Sequence, residues 1–315
     1  MFNKFKISSL EKLSHPDHDL KIGMVWFVLT GLQSVLVNTT MRLMIDNFGY
    51  HAFQLVFFYS AMAAGMYLPS LLRNPALYIP KEHKTLYAFR GVMEVVGFSL
   101  IFYSLSVLPF AVVTVLSFVT PAFGALAAIV FLKEKMTTPK WVGMIAGFVG
   151  VLIVAQPGSE DIGWEVILPV AAAAAFALCI VCIRILTRTE PPSRIAFVTL
   201  GLMACFSLPL AVPHWQMPEL SHVPWLITLA LQVAAVQYSV GKALQKIDLT
   251  TSQPFMFLGL IWSSIIGYFL FGEVVDQYTV LGAVIIVAGI VYSVRRKATR
   301  LDPVIMRQPT EDDKK

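Results

Sequence analysis

The chain has 315 residues, 57% hydrophobic and only 14% charged, with a net charge of +5 and a mean hydropathy of +0.71. A water-soluble domain carries about 25% charged residues, so this chain cannot clothe itself in polar surface and belongs in a bilayer. The positive charge does not point to nucleic acid, because the basic residues sit in short loops between apolar runs, where they report membrane orientation.

In chain order, residues 1–21 are polar and Lys-bearing and read as a cytoplasmic tail. His15, Asp17, His18 and Asp19 read there as solvated residues of a mobile terminus rather than metal ligands. The first apolar run is too long for a signal peptide and lacks a small-residue cleavage site, so it reads as a retained span. A crossing helix needs roughly 20 mostly apolar residues. Ten runs approach that length: 23–44, 51–72, 85–106, 110–132, 140–155, 164–186, 194–213, 223–243, 252–271 and 278–295. They must be helices, because unpaired backbone in hydrocarbon is too costly. Residues 298–315 form a second cytoplasmic tail, too short and polar to be a domain. Cys179, Cys182 and Cys205 lie inside apolar runs and read as packing residues, with no disulfide framework implied.

Orientation follows from the basic residues. With the N-terminus in the cytoplasm and ten spans, every Lys and Arg falls on the cytoplasmic side except Arg42 and Arg90, which lie within spans. The opposite loops hold Asp46, Glu160, Asp161, Glu219 and Asp276 but no Lys or Arg. So complete a bias supports both the span number and the orientation.

An internal repeat organises these spans. The stretch Leu108–Ala155 recurs, shifted by 139 residues, as Ile247–Val294, placing Glu134 on Glu273, Gly143 on Gly282 and Gly150 on Gly289. Five spans per half is an odd number, so the halves, 22–156 and 157–297, insert in opposite senses. The charges agree: the Lys133–Lys140 break carries three Lys, and its echo Gly272–Tyr278 carries none. The expected fold is thus an all-α membrane protein of ten transmembrane helices in two inverted five-helix repeats, an arrangement suited to alternating access.

The carrying residues of each half are Tyr103-Ser104-Leu105, Leu108-Pro109, Pro121, Lys133-Glu134, Gly143 and Gly150 in the first, and Ala243-Leu244, Gly272-Glu273, Gly282 and Gly289 in the second. On these motifs each half resembles the EamA domain of the drug/metabolite transporter superfamily, over about residues 22–296. The second half departs at Leu260, which stands where the first has Pro121; its proline is Pro254. The third and fourth spans are also similar to those of bacterial S-adenosylmethionine uptake carriers, at Phe89-Arg90-Gly91 and FYSLSVLPFA (102–111). The resemblance implies cytoplasmic termini in the inner membrane, a central cavity, and secondary transport of a solute such as an amino acid, an S-adenosylmethionine-like metabolite, a vitamin or a drug. Coupling to protons and exchange are both compatible with it, as are a monomer and a homodimer.

The sharpest local signal is Glu94, ten residues into the third span, with Arg90 four residues earlier on the same helix face. An acidic residue at mid-membrane costs about 2.5–3.5 kcal/mol on insertion scales, which marks a functional candidate. Arg90 could meet a substrate carboxylate, and Glu94 an ammonium or a proton; the alternative is a structural pair with Arg90 snorkelling. In the first span Thr30, Ser34, Asn38 and Arg42 recur every four residues as a polar stripe, with Gln33 and Thr39 widening it. The stripe fits cavity lining or interhelical hydrogen bonding, with Arg42 as an anchor near the outer end. In the eighth span Gln232 and Ser239 share a face while Gln237 points elsewhere. Tyr59, Phe102, Tyr103, Phe257 and Trp262 could stack on an aromatic solute or simply pack.

Thr114, Ser117, Thr120 and Pro121 put hydroxyls beside a kink, and Thr250–Pro254 does the same in the ninth span, so Pro121 and Pro254 read as hinges. Glu134 and Glu273 end central spans, where a carboxylate opposes the helix dipole; each is expected to reach another helix's amides as a structural pin. No P-loop occurs, and the spans hold no clustered acid–base or metal set. No cofactor or metal is expected, and an embedded enzyme, a channel and a non-transporting partner rank below a carrier.

Overall fold

A computed structural model describes residues 16–78, 80, 83–108, 110–155, 163–272 and 277–298. The described residues are helical with short connections and contain no strand. The helices are α1 (Pro16–Phe48), α2 (Ala52–Met66), α3 (Leu68–Arg73), α4 (Pro75–Tyr78), α5 (Lys84–Val107), α6 (Phe110–Ser117), α7 (Thr120–Leu132), α8 (Thr138–Ala155), α9 (Ile167–Leu186), α10 (Pro192–Ala211), α11 (Val223–Lys246), α12 (Leu249–Ser252), α13 (Leu258–Phe271) and α14 (Gln277–Ala298). Eight helical stretches are long and apolar enough to cross a membrane; Thr120–Leu132 and Thr138–Val154 are shorter apolar helices. The protein is a multi-pass membrane protein. Helix α1 is described from Pro16, ahead of the span expected at 23, and its Asp19 is held by Lys246 at 2.6 Å.

The fourth expected span is broken. Helix α6 stops at Ser117 and α7 restarts at Thr120, with Pro121 in its first turn, where a missing N–H costs nothing. The ninth breaks at the equivalent place. The short α12 passes into a 3₁₀ turn at Gln253–Phe257 carrying Pro254, and α13 starts at Leu258, 139 residues after Val119. The pieces end alike as well. Helix α7 closes on Lys133 at φ 55° and α13 on Gly272 at φ 65°, again 139 apart. Glycine takes this left-handed cap freely, whereas lysine is strained there.

Helix pairing is reciprocal. Helix α1 packs along α11 and α5 along α9; α7 meets α9 as α13 meets α1; α2 packs on α10 and α8 on α14. The α8–α14 pair owes its closeness to glycine. A methyl at Gly150 would stand 2.8 Å from the Gly282 carbonyl oxygen, and one at Gly143 3.0 Å from that of Gly289. Small residues let helices meet backbone to backbone where lipid supplies no hydrophobic drive between them. The described residues form three apolar clusters, the smallest around Tyr87, Leu186 and Ile195, and two larger ones. Of the larger two, one gathers Phe27, Ala128, Leu244, Phe257 and Ile286, and the other Met44, Leu55, Tyr59, Met203 and Leu229.

Candidate functional site

Helix α5 buries one face, on which Tyr87, Arg90, Gly91, Glu94 and Gly97 recur at helical spacing. The glycines admit neighbours: Gly91 lies against Leu202 and Phe206 of α10, and Gly97 against Phe176 of α9. That closeness brings partners to Arg90, which is 2% exposed. Its Nη1 donates to Thr199 Oγ1 of α10, and its Nη2 donates to Gln237 Oε1 of α11 at 3.0 Å. Arg90 Nη2 also stands 3.6 Å from Glu94 Oε2. Gln237 closes the ring by donating from Nε2 to Glu94 Oε1 at 3.4 Å. Arg90 Nε and Glu94 Oε2 are buried without a hydrogen bond. Glu94 lies ten residues into α5, or about 15 Å along it, half the thickness of a hydrocarbon core.

Gln237 and Thr199 are the residues that sequence reasoning missed. Gln237 was expected to point away from the face of Gln232 and Ser239, and it does differ from them; the face it occupies is the one turned to α5. A buried guanidinium must find acceptors, and that requirement was the available signal for Gln237. A single Thr in the apolar α10 carries no such signal.

The other candidates scatter. Ser239 is buried, and Gln232 is half-buried with its Oε1 unpaired. The α1 hydroxyls turn back on their own helix: Thr30 donates to Trp26 O, Ser34 to Thr30 O and Thr39 to Val35 O, each at 2.8–2.9 Å. Asn38 is exposed, and Arg42 pairs with Asp46 at 3.7 Å, both largely exposed. Trp262 rests against Gly31 with its Nε1 buried and unpaired. Tyr103 is exposed, whereas Arg90 and Glu94 on the same helix are buried. Pro121 and Pro254 are buried at the two helix breaks, where Thr120 Oγ1 donates to Ser117 O and Ser252 Oγ to Leu249 O. The Thr114 side chain and Glu273 lie outside the described residues.

Two clamps flank the buried pair along the helices. At one end Glu134 accepts from Leu249 N (3.1 Å) and Thr250 N (2.8 Å), at the start of α12. Arg184 Nε lies 3.6 Å from Glu134 Oε1, while its Nη2 donates to Asp248 Oδ1 at 3.3 Å and its Nη1 to Leu244 O. Buried Lys140 donates to Thr250 Oγ1. At the other end Tyr50 hydroxyl bonds His222 Nδ1 at 3.0 Å, and His222 stacks on Phe48. His51 stacks on His214 with ring centroids 3.8 Å apart, and Trp215 packs on Phe57 and Phe58. Burial first, and His214 second, hold the His51 imidazole below its ordinary range.

The family model described as the EamA-like transporter family matches residues 21–156 and again 163–295. The chain belongs to the EamA-like transporter family. This EamA-like protein is a small-molecule transporter and not an enzyme. It is 29% identical over 282 residues to an S-adenosylmethionine uptake transporter of Rickettsia bellii, covering 89% of this chain and 96% of the relative. It is 29% identical over 287 residues to a riboflavin transporter of Vibrio cholerae, covering 89% and 95%. A pseudopaline exporter of Pseudomonas aeruginosa is 23% identical over 281 residues, covering 88% and 98%. A solved crystal structure shares the fold of the EamA-like chain with a TM-score of 0.73 at 15% identity, over 91% of this chain and 99% of its own.

Proposed function

We propose that this EamA-like protein carries a small organic metabolite across the inner membrane by alternating access between two inverted five-helix halves, 22–156 and 157–297, with both termini cytoplasmic. The single observation that carries the reading is the Arg90–Glu94 pair: buried at mid-helix on α5 of one half, it is held by Thr199 and Gln237 of the other. A buried ion pair of one half, held by polar partners from the other, is costly to keep and rare without a task. The reciprocal helix pairing supports inversion. Gly150 meets Gly282 and Gly143 meets Gly289, so two helices of like sequence run past each other in opposite directions. The basic end, at Glu134, Arg184 and Lys140, is the cytoplasmic one on the positive-inside rule. In this reading the two clamps are the gates, and the solute meets the pair when one clamp is open. Polar groups of α1 and α11, among them Ser34, Asn38 and Gln232, line its path with Trp262.

The relatives' names choose the first solutes to test. The purified protein in proteoliposomes preloaded with S-adenosylmethionine or riboflavin takes up the labelled compound by saturable counterflow. Cysteines at Lys135 and Gln277 react from opposite sides of the membrane. Reaction from one side would remove the inversion, and flux without saturation or counterflow would make the protein a channel.

A further inference from the structure

The hydrogen-bond valences left open at the buried pair define what it can accept. Thr199 Oγ1 and Gln237 Oε1 take the two terminal nitrogens of Arg90, and Gln237 Nε2 takes Glu94 Oε1. Two buried atoms of the pair have no hydrogen bond: the Nε–H of Arg90, and Oε2 of Glu94, which faces Arg90 Nη2 at 3.6 Å, beyond hydrogen-bond range. The pair sums to zero charge. The charged groups next along the face, which act on Tyr87, are Glu190 and Arg194, and these form an ion pair of their own. A lone cation or a lone anion bound here would bring an uncompensated charge into a low-dielectric site, which is costly. A solute that brings both signs on adjacent atoms would not.

We infer that the Arg90–Glu94 pair reads a zwitterionic α-amino-acid head group, its ammonium on Glu94 Oε2 and its carboxylate on Arg90 Nε–H. This rests on the transport reading above and sharpens it, because it separates two kinds of solute that the relatives carry by name. S-adenosylmethionine has such a head group, and riboflavin has no charge of either sign to offer. Gln237 and Thr199 act as positioning residues: they hold the two terminal nitrogens of Arg90 and Oε1 of Glu94, and leave Arg90 Nε–H and Glu94 Oε2 without a hydrogen bond.

The test measures binding to the full-length purified protein by calorimetry, apart from any transport assay. Probes are S-adenosyl-L-methionine, L-methionine, L-methionine methyl ester, N-acetyl-L-methionine and riboflavin. The two zwitterionic head groups bind, and the ester and the N-acetyl compound bind about tenfold or more weakly, since each lacks one charge-assisted bond. The variants reverse the ranking by sign. Glu94→Gln leaves a net positive site and shifts preference toward the anionic N-acetyl compound; Arg90→Gln leaves a net negative one and shifts it toward the cationic ester. Glu94→Asp restores the wild-type order. Equal binding of methionine, ester and N-acetyl compound overturns the inference, as does a variant that weakens all three alike. Riboflavin counterflow with no zwitterion bound overturns it while leaving the transport reading intact. Zwitterion binding without counterflow of any probe supports the inference and removes the transport reading.

Discussion

The two ends of the bundle hold the same two halves of the chain together by different chemistry. At the charged end, a carboxylate of one half seats on the first amides of a helix in the other and is braced by Arg184. At the aromatic end, rings stack and one phenol meets an imidazole. Charge-assisted bonds to fixed amides are directional and short. Ring faces hold at several offsets and slide with little cost. The charged end is thus the stiffer clamp, and the aromatic end is the one where His51 can answer to pH.

The largest effect tests the stiff clamp. Glu134→Ala uncaps Leu249 and Thr250 and takes from Arg184, whose side chain is 16% exposed, one of its two carboxylate partners, leaving Asp248 and Leu244 O. Losing that buried charged acceptor costs about 1–3 kcal/mol, seen as a lower midpoint in thermal unfolding of the purified protein. An unchanged midpoint would mean that the clamp carries no load.

Next comes the pair between the clamps. Glu94→Gln keeps the protein in the membrane, because an amide still fits Gln237, but lowers counterflow by about tenfold or more, or about 1.4 kcal/mol on the barrier. Uptake that stays at the wild-type level across pH would refute a transport role for Glu94.

A smaller change firms the charged end. Lys133→Gly relieves the left-handed cap that Gly272 already takes without strain, and raises stability by about 0.5–1 kcal/mol. Gly272→Ala, the reverse change at the equivalent site, lowers it; two shifts of the same sign would disprove the equivalence.

The smallest effect tests the aromatic end. The folded state holds the His51 pKa below the ordinary value of about 6.5. The contribution of His51 is therefore fully present above that value and is lost as pH falls through the lowered one. Protonation of His51 sets a charged ring against the stacked His214 ring and loosens the clamp; Glu219 lies 3.9 Å from the neighbouring His222. Amide exchange, corrected for its intrinsic pH dependence, rises at pH 5 in residues 49–54 and 212–222 but not in 245–252. In His51→Phe the rise disappears.

Reading along the chain reaches some of this and misses the rest for one reason. The proximity of Arg90 and Glu94 is a property of a single helix, and so is the terminal position of Glu134. The partners of those residues lie on other helices. Gln237 looked misdirected because its direction was judged against Gln232 and Ser239, its neighbours on α11, and not against α5. The polar stripe of α1 was legible as a stripe. That its hydroxyls turn back to Trp26, Thr30 and Val35 depends on rotamers, on which the spacing of residues is silent.

By itself the sequence determined the membrane setting, the helical class and the family, because these follow from composition, from the cost of unpaired backbone in hydrocarbon, and from motifs repeated 139 residues apart. Only the tertiary structure decided which groups close around Arg90 and which valences stay open. The rotation of one helix against another is set by where their glycines let them touch, and Gly91 and Gly97 act through neighbours that lie far away along the chain.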